Sequence, residues 1–156
     1  MSALPDWVRS LPQNTLAGAL GIEIVELTGD RVVATMPVND RTRQPYGLLH
    51  GGASIALAET VASLGAVGRI DRERFVAVGQ EINGNHIRAV KAGMVRATGV
   101  PIHVGRTSQV WSIEIRDEQE RLVCISRCTL AVIEQKGSGV RDQGQAVRPD
   151  AAGADP

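Results

Sequence analysis

The chain has 156 residues, 17 basic and 17 acidic side chains, a formal net charge of zero and only 3% aromatic residues. That balance excludes the strongly basic surface of a nucleic-acid binder and a general attraction to anionic membranes, and it leaves few rings on which bases could stack. The length fits one compact domain, and 43% hydrophobic residues suffice for its core.

The first residues, Met1 to Trp7, have neither the basic start nor the continuous apolar stretch of a secretory leader, so a cytoplasmic protein is expected. A short helix is expected over about 4–17, with Trp7, Val8 and Leu11 as its apolar stripe and Pro12 limiting its length. Gly21 opens an alternating run that puts Ile22 and Ile24 on one face and Glu23, Val25 and Leu27 on the other. Gly29-Asp30 reads as a hairpin turn into a second strand, Val32 to Met36, and a polar loop runs from Pro37 to Tyr46.

From Ala53 the chain is rich in Ala and Leu and apolar nearly all round, which predicts a helix buried on several sides. His50, Glu59, Thr60 and Ser63 interrupt the segment and argue against a membrane span. Glu59 is the one formally charged side chain between Gly47 and Gly68. A carboxylate on a buried helix is costly to desolvate, so it is either paired or kept for chemistry. Ser63, four residues on, shares its face and could bond the acid, a water, a substrate or its own helix. His50 lies nine residues before Glu59, off that face and at the helix start, where it either satisfies free N–H groups or serves the site. The N–H groups of Gly51 and Gly52 could hold a developing oxyanion or merely allow tight packing.

Four strands follow: Phe75 to Val90 with bulges expected at Gly79 and Gly84, Met94 to Val104, Thr107 to Arg116, and Leu122 to Ile133. Short turns between them predict an antiparallel meander, and the whole reads as α+β, a helix on a curved sheet. Cys124 and Cys128 stand four residues apart in one strand, roughly 13 Å at about 3.3 Å per residue, too far for a disulfide. Both are expected as buried thiols in a reducing compartment. The folded domain is expected over 1–135, and 136–156, rich in Gly, Gln, Asp and Pro, as a disordered tail.

Gln44 means little alone, but Gln44, His50-Gly51-Gly52, Glu59 and Ser63 form a recognisable set in that order and spacing. With the stretches 42–54 (TRQPYGLLHGGAS), 81–86 (EINGNH) and 109–115 (QVWSIEI), the chain from about Leu16 to Ile133 resembles the hotdog-fold acyl-CoA thioesterases with a catalytic Glu. The likeness is to the 4-hydroxybenzoyl-CoA thioesterase type, and within it to the dihydroxynaphthoyl-CoA thioesterases of menaquinone synthesis and the enterobactin-pathway proofreading thioesterases.

The resemblance implies a long helix wrapped by an antiparallel sheet, and a homodimer or dimer-of-dimers homotetramer whose active sites lie between subunits. It implies that Glu59 attacks the thioester carbonyl or activates water, that Gln44 and His50 orient the thioester, that Gly51 N–H holds the oxyanion, and that Ser63 stands near the attacking water. It places His86, Arg88, Gly105, Arg106 and Thr107 against the CoA of an acyl-CoA substrate, with an acyl-carrier-protein thioester as another possible donor. An aromatic acyl group is favoured.

No cofactor is expected beyond the CoA of the substrate, and no metal, because His50, His86 and His103 lack ligand-type spacing. No G-x-S-x-G elbow supports a serine hydrolase. Two rival readings share the scaffold: a hydratase or dehydratase on acyl thioesters, which would act without thiol release, and a binding module, which would not turn over.

Overall fold

Pro12 and the capping residue Thr15 split the N-terminal segment into two short helices, α1 (Asp6–Arg9) and α2 (Leu16–Leu20), where the sequence predicts one helix over about 4–17. Thr15 Oγ1 accepts from Gly18 N–H, and Gly21 closes α2 in the left-handed conformation at φ 70°. The computed structural model describes residues 4–135, so the expectation for 136–156 lies outside the described residues.

The strands are β1 (Glu23–Leu27), β2 (Val32–Pro37), β3 (Phe75–His86), β4 (Met94–Val104), β5 (Ser108–Asp117) and β6 (Leu122–Glu134). The helix α3 (Gly51–Val67) lies between β2 and β3 in the chain and packs against β2 to β6. The six strands form one sheet in the order β1-β2-β4-β5-β6-β3, with every neighbouring pair antiparallel. This is the α+β architecture that the sequence predicts, with one correction. β4, β5 and β6 form a meander, but β3 does not continue it beside β4. It crosses to the far side and pairs with β6, which leaves β3 at the sheet edge.

β5 shows why the sheet holds the helix: alternate residues Gln109, Trp111, Ile113 and Ile115 are fully buried, while Ser112, Glu114 and Arg116 face outward. Leu57, Ala58, Val61, Ala62 and Ala66 of α3 meet that inner face with no solvent exposure. The small residues on the helix let the sheet approach closely. A bulge does occur after Gly79, between it and Glu81. None occurs at Gly84, which stays in ladder register with Ser126 and instead makes room for Ile55. Both cysteines are buried free thiols, as expected. Among the described residues no helix is long and apolar enough to cross a membrane.

Candidate active site

His50 is the N-cap of α3, with extended backbone (φ −70°, ψ 131°) and Nδ1 accepting the Gly52 N–H at 2.8 Å. The capping use of this histidine is thus realised, and a ring that accepts at Nδ1 carries its proton on Nε2, as a donor. Ala53 and Ser54 N–H donate to the His50 carbonyl. Gly51 N–H is different: it has no acceptor among the described residues, and it sits at the positive end of a 17-residue helix. Gln44 Oε1 accepts the Tyr46 N–H at 2.7 Å, so its amide NH2 is left to donate. The His86 imidazole lies over the same helix start, with Nε2 2.7 Å from where a Cβ on Gly51 would stand. Gln44, Leu49, Gly51, Ser54, His86 and Arg88 line a cavity of about 300 Å³ there.

A second cavity, of about 500 Å³, lies further along α3 between Leu11, Leu16, Ile55, Glu59, Ser63 and Leu64. Glu59 and Ser63 share its wall, as their spacing predicts. Glu59 is half-buried rather than buried, because the chain leaves the face of α3 carrying Gly52, Ile55, Ala56, Glu59 and Ser63 partly uncovered. Among the described residues neither the Glu59 carboxylate nor the Ser63 hydroxyl has a hydrogen-bond partner. The acid is therefore not retained for a structural bond within its own chain.

Three helix positions four residues apart, Gly51, Ile55 and Glu59, lie against His86, Gly84 and Gly79 of β3. The sequence reading misses this crossing, along with Leu11 and Leu16 in the acid's cavity and the Tyr46 N–H that fixes Gln44. Gly79 and Gly84 are the sequence features that lie at the crossing, and neither by itself says what packs there.

Cys128, buried on β6, has its thiol pushed up to about 11, first by burial and then by the negative charges of Glu59 and Glu81. It is protonated at neutral pH and offers no rival nucleophile. Its folded-state value lies above the 9.0 of an unperturbed thiol. The associated stability is therefore complete below that pH and is lost as pH rises through the folded-state value. The denaturation midpoint is expected to fall over that alkaline range, and to fall less in Cys128→Ala, which a pH series of denaturant titrations checks.

One chain does not bring all the predicted residues together. Gly51 and Glu59 are eight residues apart on α3, roughly 12 Å at about 1.5 Å per residue. The Glu59 carboxylate moreover lies against Gly79 and Gly51 against His86, toward opposite ends of β3. The residues expected at CoA divide likewise. His86 pairs with Cys124 at one end of β6, while Gly105, Arg106 and Thr107 form the β4–β5 turn beside Ser108, which pairs with Ala131. Seven residues of strand separate the two groups, roughly 23 Å at about 3.3 Å per residue.

The sequence profile of the thioesterase superfamily matches residues 46–124. The 1,4-dihydroxy-2-naphthoyl-CoA hydrolase of Listeria monocytogenes is 46% identical over 121 residues, covering 78% of this chain and 98% of that protein. The proofreading thioesterase EntH of Cronobacter turicensis is 51% identical over 120 residues, covering 77% and 87%. Among solved structures, thioesterase HI1161 of Haemophilus influenzae superimposes with a TM-score of 0.77 at 46% identity, covering 81% of this chain and 88% of that one.

Proposed function

The chain belongs to the thioesterase superfamily and is a thioester hydrolase of hotdog fold, and we propose that it hydrolyses an aromatic acyl-CoA at sites shared between two copies of itself. The observation that carries the second half is the separation on α3 of the Glu59 carboxylate from the donors at the helix start. β3 supplies a way to join them. It is an edge strand with a free side, and Val76 and Val78 on it are 38% and 43% exposed. A two-fold pairing of β3 with β3 of a second copy is antiparallel, so the His86 end of one strand meets the Phe75 end of the other. Glu59 sits nearer the Phe75 end and Gly51 nearer the His86 end. Such a dimer, alone or paired into a tetramer, sets Glu59 of one copy toward Gln44, His50 and Gly51 of the other. It also draws His86 and Arg88 of one copy toward the 105–107 turn of the other, a span suited to the pantetheine and phosphates of CoA.

At such a site the thioester carbonyl oxygen accepts from Gly51 N–H, with the Gln44 amide or His50 Nε2–H assisting. Glu59 then works on the carbonyl carbon in one of two ways. As a general base it takes a proton from water while the water oxygen attacks; as a nucleophile it forms an anhydride that water opens. Ser63 stands one helical turn away to hold the water. In either route the C–S bond breaks, CoA leaves as thiolate and is protonated, and the acyl group leaves as a free acid. The proposed chemistry needs only these groups and water. The apolar walls of the acid's cavity, with Leu11, Leu16, Ile55 and Leu64, suit a ring, and the name of the Listeria relative, a 1,4-dihydroxy-2-naphthoyl-CoA hydrolase, points to an aromatic acyl group.

Subunit mixing tests the shared site. Chains carrying Glu59→Gln and chains carrying Gln44→Ala, each impaired alone, are refolded together in equal amounts and assayed for thiol release from an aromatic acyl-CoA. Random pairing makes about half the dimers hybrid, each with one intact site of two, so activity is expected to recover to about a quarter of the parent's. A site contained within one chain gives no recovery, and that result overturns the reading.

A further inference from the structure

We propose that Gly79 is a positioning residue, whose missing side chain seats the carboxylate of Glu59; the inference rests on the role assigned to Glu59 above. Gly79 is itself exposed, but it pairs on β3 with Leu130 of the core, and the side chain it lacks would point toward α3. A Cβ built on it would stand 2.5 Å from Glu59 Oε1 and 3.6 Å from Glu59 Cδ, and would meet no other atom beyond its own neighbours within 4 Å. The backbone does not demand glycine here, because Gly79 is absent from the positions with positive φ, which are Gly21, Gly47 and Gly93. The need for glycine therefore comes from one group, the acid.

The bulge supports the same assignment. Register shifts between Gly79 and Glu81, so Gln80 has no partner on β6. An extra residue at that point bends the strand locally. It also keeps Ile82, Gly84 and His86 turned toward α3 after Gly79, so that the strand follows the helix past Ile55 to Gly51. The bend lies where β3 passes the carboxylate.

The physics separates position from stability. The atom that a Cβ would strike is the far end of a flexible side chain, so Glu59 can swing aside at little cost to the fold. The swing moves the reacting oxygen itself. A displacement of about 1 Å from a productive geometry can cost about 10²-fold in rate. Gly84 gives the contrast: a Cβ there would meet the end of the Ile55 side chain, in the wall of the same cavity, without touching the acid.

The experiment compares Gly79→Ala, Gly84→Ala, Glu59→Gln, Glu59→Asp and the pair Gly79→Ala with Glu59→Asp, reading kcat, KM and the denaturation midpoint. The expected result for Gly79→Ala is a kcat lower by about ten- to a hundredfold, with KM and midpoint close to the parent's. Gly84→Ala, which moves Ile55 of the cavity wall and not the acid, should raise KM and show no such fall in kcat. Glu59→Asp withdraws the carboxylate by one methylene, so adding Gly79→Ala to it should cost less than adding it to the parent. If Glu59→Gln is inactive but Gly79→Ala keeps the parent kcat, the positioning role is overturned while the reading of Glu59 stands. A Gly79→Ala chain whose midpoint collapses, or a double variant that shows full additivity, also overturns it. Full activity in Glu59→Gln removes both.

Discussion

Glu59→Gln is expected to reduce thiol release by roughly 10²–10⁴-fold, the range over which a positioned acid or base acts, while the fold persists. The substitution keeps the size and shape of the side chain and removes only its charge and basicity. It breaks no hydrogen bond within the chain, since the carboxylate has none among the described residues, and the side chain is half-buried rather than sealed in the core. An acid held for structure would behave in the opposite way: its loss would lower the denaturation midpoint, and activity would fall only in proportion to unfolding. Measuring both quantities on the same preparation separates the two. Full thiol release from a folded Glu59→Gln protein sinks the assignment. Single-turnover hydrolysis in isotopically labelled water then addresses the route. Label found in Glu59 identifies the anhydride, because only that path transfers a water oxygen to the side chain.

The elements that could be read from the sequence are those whose signal is local. β5 announces itself by the alternation of Trp111, Ile113 and Ile115 with Ser112, Glu114 and Arg116, and α3 by its run of small and apolar residues around one acid. The order of the strands is not local. Nothing in Phe75–His86 says that this strand passes β4 and β5 to pair with β6, because that choice depends on how the sheet closes over α3. The exposure of Glu59 is not legible in the sequence for a related reason. An apolar helix reads as buried on several sides, and the sequence does not say which face stays open; one chain leaves open the face that carries Ile55, Glu59 and Ser63. The residues of the site were legible as a set because their types are unusual together. Their division into two groups, one at the helix start and one two turns further on, needed the rise of the helix and the position of β3.

Gly51→Pro is expected to lower kcat by about 10²–10³-fold, equivalent to about 3–4 kcal/mol of transition-state stabilisation, because it removes one backbone donor. Gly51 is the first residue of α3, the position at which a helix tolerates proline best, since the N–H there has no partner within the helix. His50 already has the extended backbone, ψ 131°, that a residue before proline requires. The new ring would press on the His86 imidazole, whose Nε2 lies 2.7 Å from the Cβ position, and Gly51→Ala provides the control because it brings the same Cβ and keeps the N–H. The ratio of the two variants isolates the donor. A second split separates lost stabilisation from blocked access. Charge gathers on the carbonyl oxygen only as the tetrahedral state forms, so losing the donor lowers kcat and leaves KM nearly unchanged, whereas a ring that obstructs the thioester raises KM. Equal kcat in the alanine and proline variants would remove Gly51 from the reaction and leave the helix start as a terminus capped by His50.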